Sequence, residues 1–140
     1  MKKVFLVGTL VAALGLPLVV SAQTAGTALG SITLGRRVMA DGQPLAAGTY
    51  QVRLTADSPK PGAGQTAESE RYVEFVRGGK VLGREIATIV SAADIEQVAD
   101  SKRRPAAGAN RVELLKGDDY VRVWINRGGN NYIIHMPTGA

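Results

Sequence analysis

The chain has 140 residues, with 17 basic and 12 acidic side chains, a formal charge of +5 and no cysteine. That length makes one domain with a single core, and the missing thiols exclude disulfides and thiolate metal sites. The charge surplus is too small to imply a nucleic-acid partner and favours solubility instead.

The first element is an export signal. Lys2 and Lys3 precede an apolar stretch from Val4 to Val20, and Val20-Ser21-Ala22 offers small residues at the positions a signal peptidase reads. This pattern, bacterial in its compactness, predicts cleavage after Ala22 and export to the periplasm or beyond. The competing reading is a retained membrane anchor, but seventeen residues broken by Gly8, Gly15 and Pro17 are short for a span. No cysteine follows the run, so lipid attachment has no acceptor. Removal of residues 1–22 leaves 118 residues, a charge of +3 and no predicted membrane span. The mature chain has six aromatics, Tyr50, Tyr72, Phe75, Tyr120, Trp124 and Tyr132. Its core must therefore be built from Val, Ile and Leu, which favour strands.

Residues 23–30 are small and polar and read as a flexible lead-in to a domain over 31–137. Ser31 to Ala40 reads as a strand, followed by an Asp41-Gly42 turn and a second bend between Pro44 and Gly48. Tyr50 to Thr55 alternates with period two, which points Tyr50, Val52 and Leu54 inward. Asp57 to Ser69, with two prolines and two glycines, reads as a mobile solvent loop. Arg71 to Val76 and Val81 to Val90 flank the hairpin signal Gly78-Gly79. A strict two-residue turn there sets Phe75 against Leu82 but Val73 against Arg84, and a bulge near Gly83 would repair the mismatch. Ala92 to Ala99 suits one or two helical turns capped by Ser91, and Ser101 to Asn110 reads as a basic loop.

The last hairpin is the most strongly determined. With Gly128-Gly129 at the turn, Val121, Val123, Ile125, Tyr132, Ile134 and Met136 share one apolar face. The other face carries Tyr120, Arg122, Trp124, Asn126, Asn131, Ile133 and His135, and a one-residue slip would mix the sets. Val112 and Leu114, from the strand Arg111 to Leu115, and Phe75 complete the expected core. Six or seven strands with no long helical period predict an all-β, two-layer antiparallel β-sandwich, or alternatively a small β-barrel.

Asp41-Gly42-Gln43-Pro44-Leu45-Ala46-Ala47-Gly48-Thr49-Tyr50-Gln51-Val52 resembles a strand–bend–strand unit of exported bacterial β-sandwich proteins. Carboxypeptidase regulatory-like and transthyretin-like (prealbumin-like) domains carry such a unit. The resemblance covers about a dozen residues and implies a non-enzymatic accessory or adhesion module, with no site residue carried over.

No constellation names a reaction. His135 is the only histidine, with no second ligand or nucleophile in a motif beside it. Asp118, Asp119, Asn126, Asn130 and Asn131 have the oxygens for calcium but not the spacing of a calcium loop, so turn chemistry explains them better. Glu70, Glu74, Glu85 and Glu113 form no identifiable catalytic pair. Neither double glycine precedes a helix, which speaks against phosphate-cradling loops.

Two surfaces remain as candidate binding sites. Tyr120, Arg122, Trp124, Asn126, Ile133 and His135 have the composition of a contact hot spot or sugar-stacking face. The alternative is that a second sheet or loop covers this face and the indole fills core. Lys102, Arg103 and Arg104 form a basic loop able to gather anions, though three charges without interleaved aromatics are a weak footprint and a solvated loop explains them better. The expectation is a non-catalytic, cofactor-free module that binds an envelope protein or glycan. A small secreted hydrolase using carboxylates is the alternative.

Overall fold

The computed structural model describes residues 26–59, 69–97 and 101–139. The predicted signal peptide and most of the Asp57 to Ser69 loop lie outside them. Among the described residues no helix is long and apolar enough to cross a membrane.

The protein is all-β. Its strands are β1 (Thr27–Leu34), β2 (Val38–Ala40), β3 (Gln43–Leu45), β4 (Gly48–Leu54), β5 (Glu70–Arg77), β6 (Lys80–Ser91), β7 (Asn110–Leu114), β8 (Tyr120–Arg127) and β9 (Asn130–Pro137). Seven form one antiparallel sheet in the order β1-β4-β5-β6-β9-β8-β7, and β2 and β3 form a separate hairpin. Of the two expected architectures, the small barrel is the closer description: one sheet curls until β7 lies near β1. Seven strands alternating in direction leave these two edges parallel, so the barrel cannot close as an antiparallel ladder. Asn110 stitches the seam instead, its side-chain amide donating to the Ser31 carbonyl at 2.8 Å.

Three type I′-like turns set the local registers, because both central residues of Asp41-Gly42, Gly78-Gly79 and Gly128-Gly129 have positive φ. The β8–β9 register is the predicted one, with Val123 opposite Ile134 and Arg122 opposite His135. The bulge expected in the β5–β6 hairpin is also present. Val76 faces Val81, but Phe75 faces Gly83, leaving Leu82 as the extra residue. The bulge turns Glu85 rather than Arg84 toward Val73, under the β2–β3 hairpin. There one carboxylate oxygen of Glu85 accepts from the Asp41 backbone amide at 2.7 Å. Gly83 is closely covered, since a Cβ there would lie 3.1 Å from the Leu45 side chain, which would have to give way by a few tenths of an ångström.

Tyr50, Val52, Leu54, Phe75, Val121, Val123, Ile125 and Ile134 fill the barrel as expected, with Tyr50 and Phe75 packed edge to face. Val112 is half-buried, but Leu114 is 39 % exposed, which corrects its expected burial. It faces inward opposite Val121, but at the unpaired seam no strand covers it. The lead-in is also corrected: Thr27 to Gly30 belong to β1, paired with β4, and Leu29 is buried. Truncating Val123 to Ala is expected to cost about 1–3 kcal/mol, read by denaturant unfolding.

The connection from β6 to β7 positions the rest. The order β6-β9-β8-β7 is a Greek key, and the described part of the connection sets Ile95 against Trp124 and Ile133 of the β8–β9 hairpin. The predicted helical segment is a single 3₁₀ turn, Ile95–Gln97, preceded by a Ser91–Asp94 side-chain hydrogen bond of 2.9 Å. A second short turn covers Ser101–Arg103.

Candidate functional site

The crossing connection covers much of the face expected to bind. Trp124 is fully buried and Ile133 nearly so, in a small cluster with Val90 and Ile95 on the outer side of the barrel wall. This corrects the open hot-spot reading, because the Greek-key connection itself supplies the cover. The indole N–H donates to the Asn131 side-chain carbonyl at 2.8 Å, which satisfies two buried polar groups together. Asn126 is likewise structural: its side chain donates to the Pro105 carbonyl at 2.9 Å and its backbone exchanges hydrogen bonds with Gly108 and Ala109. Of the six residues, only Tyr120 and His135 are exposed.

Beside them lies an ion cluster that the sequence pattern left unmarked. Glu113 is opposite Arg122 across β7–β8, and Arg122 is opposite His135 across β8–β9. The Glu113 carboxylate accepts from Arg122 at 3.0 Å and also from Arg103. The Arg122 guanidinium lies 5.6 Å from the Trp124 ring centre. Burial opposes the charge on Glu113, but hydrogen bonds from Arg103 and Arg122 and their positive charges outweigh it, so its carboxyl titrates below the ordinary value. His135 is also shifted down: its ring is exposed at the surface but partly desolvated where it lies against the wall, and the Arg122 charge stands opposite it. This arrangement favours a neutral imidazole and a charged carboxylate.

Both shifts make acid destabilising. Stability attributable to His135 is complete above about pH 6.5, the ordinary imidazole value, and declines as pH falls toward the lowered folded value. Stability attributable to Glu113 is complete above the ordinary carboxylate range and declines through its lowered folded value. Melting temperature measured against pH is expected to fall in these two stages. His135→Asn should remove the upper stage and Glu113→Gln the lower one.

The basic loop does not form a three-cation site. Arg103 is committed to Glu113, Lys102 has an interaction of its own, and Arg104 lines a separate depression with Pro105 and Asn126. Asp118 and Asp119 precede β8 whereas Asn126, Asn130 and Asn131 lie at its other end, some seven residues or roughly 23 Å along a strand. That separation does not bring the five side chains to one calcium position, and among the described residues no three His, Asp or Glu side chains group where they could hold a metal ion. Glu85 holds the Asp41 turn and Glu74 lies 3.8 Å from Arg53.

A different concavity retains uncommitted polar groups. Pairing of β4 with β5 runs only from Leu54–Val73 to Gln51–Val76, and beyond it the two strands part. A cleft of about 390 Å³ opens there, lined by Ser31, Thr49, Gln51, Arg53, Val76 and Arg77 with the Tyr50 ring and the Gly78-Gly79 turn. Arg77 lays its guanidinium 4.7 Å from the Tyr50 ring centre. It crosses the start of β4 at Gly48, whose φ of 148° and lack of Cβ both matter, since a Cβ would sit 2.2 Å from the Arg77 Nη1. The Arg53 Nε is buried without a hydrogen-bond partner among the described residues. Sequence reasoning missed this site because its residues come from β1, β4 and the β5–β6 turn and form no local motif. The Gly48-Thr49-Tyr50 start of β4 was the nearest signal.

No family model, curated protein or solved structure matches the chain.

Proposed function

We propose that the protein is an exported, non-catalytic module of the bacterial envelope, an accessory or binding protein whose contact site is the Arg53–Arg77 cleft. The observation that carries this reading is the contrast in how charge is used. Arg103 and Arg122 are both engaged by Glu113, and Glu85 fastens a turn. Arg77 faces a concave surface with only a ring contact among the described residues. Clefts of this size with a few directed polar groups are the usual form of a binding site.

Of the candidate carboxylates, Glu74 lies beside Arg53, Glu85 accepts from a backbone amide and Glu113 is held by Arg103 and Arg122, which speaks against their use by a hydrolase. The resemblance of Asp41 to Val52 to transthyretin-like domains, which act mostly as non-enzymatic modules, supports the same reading. So does the signal-like segment Lys2 to Ala22, which fits export to the periplasm or the extracellular space.

The test begins with intact-mass analysis of protein from a secreting host, where loss of Met1 to Ala22 is expected. The mature protein is then passed over isolated envelope polysaccharide and envelope proteins, as wild type and as Arg77→Gln. Retention that the substitution abolishes without lowering the melting temperature supports the reading. Turnover of an ester, glycoside or peptide substrate that a single Glu or Asp change abolishes would replace it with the hydrolase.

A further inference from the structure

We infer that the cleft beside β4 binds the carboxylate of an acidic saccharide; this rests on the cleft being the contact site proposed above. Four features specify that chemistry. First, Arg53 and Arg77 both line the cleft and, among the described residues, no acidic side chain does. A guanidinium presents a planar fork that matches a carboxylate with two parallel hydrogen bonds. Second, one acid, Glu74, lies 3.8 Å from Arg53. It leaves one net positive charge among the three groups, which suits a singly charged carboxylate better than a doubly charged phosphate.

Third, the remaining polar lining is neutral. Ser31, Thr49 and Gln51 offer hydroxyls and an amide, the donors and acceptors that sugar hydroxyls pair with. Ser31 and Gln51 have no side-chain hydrogen bond among the described residues, so they are available to a ligand. Fourth, the one aromatic ring in the lining, Tyr50, is 1 % exposed and already carries Arg77 on its face. A neutral sugar would need an open ring for stacking, whereas a uronate binds through its charge. The cleft opens onto the outer wall of the barrel, where a polymer can pass across and leave one acidic residue in the arginine fork.

The experiment uses the mature full chain and follows backbone amide shifts by NMR during titration with trigalacturonate. Parallel titrations use its methyl ester, which is neutral, and inorganic phosphate. Trigalacturonate is expected to shift the amides of Ser31, Gln51 and the Gly78-Gly79 turn. Its affinity should fall with salt and by about tenfold or more in Arg77→Gln. Arg77→Lys keeps the charge but not the fork and should lie between the two.

Arg77 sits exposed at the barrel rim, so these variants are expected to fold, and their melting temperatures check it. Equal affinity for the methyl ester at the same amides overturns the inference but keeps the cleft as the binding site. Equal affinity for inorganic phosphate overturns the saccharide carboxylate in the same way. Shifts confined to another surface overturn both the inference and the reading beneath it.

Discussion

Replacing Trp124 with alanine is expected to destabilise the protein by about 3–5 kcal/mol, as removal of a large buried aromatic does. The upper part of that range is expected because the substitution also strands a partner. Asn131 is fully buried, and its side-chain carbonyl accepts from the indole N–H. Its amide reaches the Val90 carbonyl only at 3.5 Å, which is poor compensation. Trp124→Phe separates the two effects. It keeps most of the apolar volume but leaves the Asn131 oxygen unpaired, at a cost of about 1–3 kcal/mol. Urea unfolding of both variants measures the difference. A Trp124→Ala protein as stable as wild type would mean that the indole is not packed under the connection.

Ile95→Ala is expected to cost about 2–5 kcal/mol. Ile95 is the fully buried residue that the β6–β7 connection lowers onto Trp124 and Ile133. Because the two side chains share one cluster, their losses should not add. The double variant Ile95→Ala/Trp124→Ala should therefore be less destabilised than the sum of the singles, by at least about 0.5 kcal/mol. Strict additivity would show that the connection and the β8–β9 hairpin are energetically independent.

The sequence was most legible where one local pattern settled both register and burial. In β8–β9, alternation on both sides of Gly128-Gly129 allowed a single register, and the inner face it named is the inner face of the barrel. In β5–β6 the clash between Val73 and Arg84 pointed to a bulge before the structure located it at Leu82. Legibility failed where a distant strand decides the outcome. Thr27, Ala28 and Gly30 are small and Leu29 is a lone apolar residue among them, too little for a local strand pattern, yet pairing with β4 recruits all four into β1 and buries Leu29. Leu114 has the inward phase but lies on a seam that seven alternating strands cannot close.

The candidate site shows the same division. The composition of the outer β8–β9 face was readable, but its cover was not, because Ile95 lies 29 positions before Trp124 and reaches it only through the Greek-key crossing. The Glu113 cluster and the Arg53–Arg77 cleft each draw on several strands, so neither leaves a linear motif. Tertiary geometry selects among charged residues that look interchangeable along the chain.

Where a ligand can bind is decided by which outer surface is open and which is internal, and the fluorescence of the single tryptophan reports that directly. With the mature protein folded, Trp124 should emit at the blue wavelengths of an apolar site and resist quenching by iodide and acrylamide. A ligand bound in the Arg53–Arg77 cleft should leave that emission unchanged. Emission at the wavelength of free tryptophan, quenched by iodide in the folded protein, would contradict the buried placement of Trp124 and restore the β8–β9 face as the exposed surface.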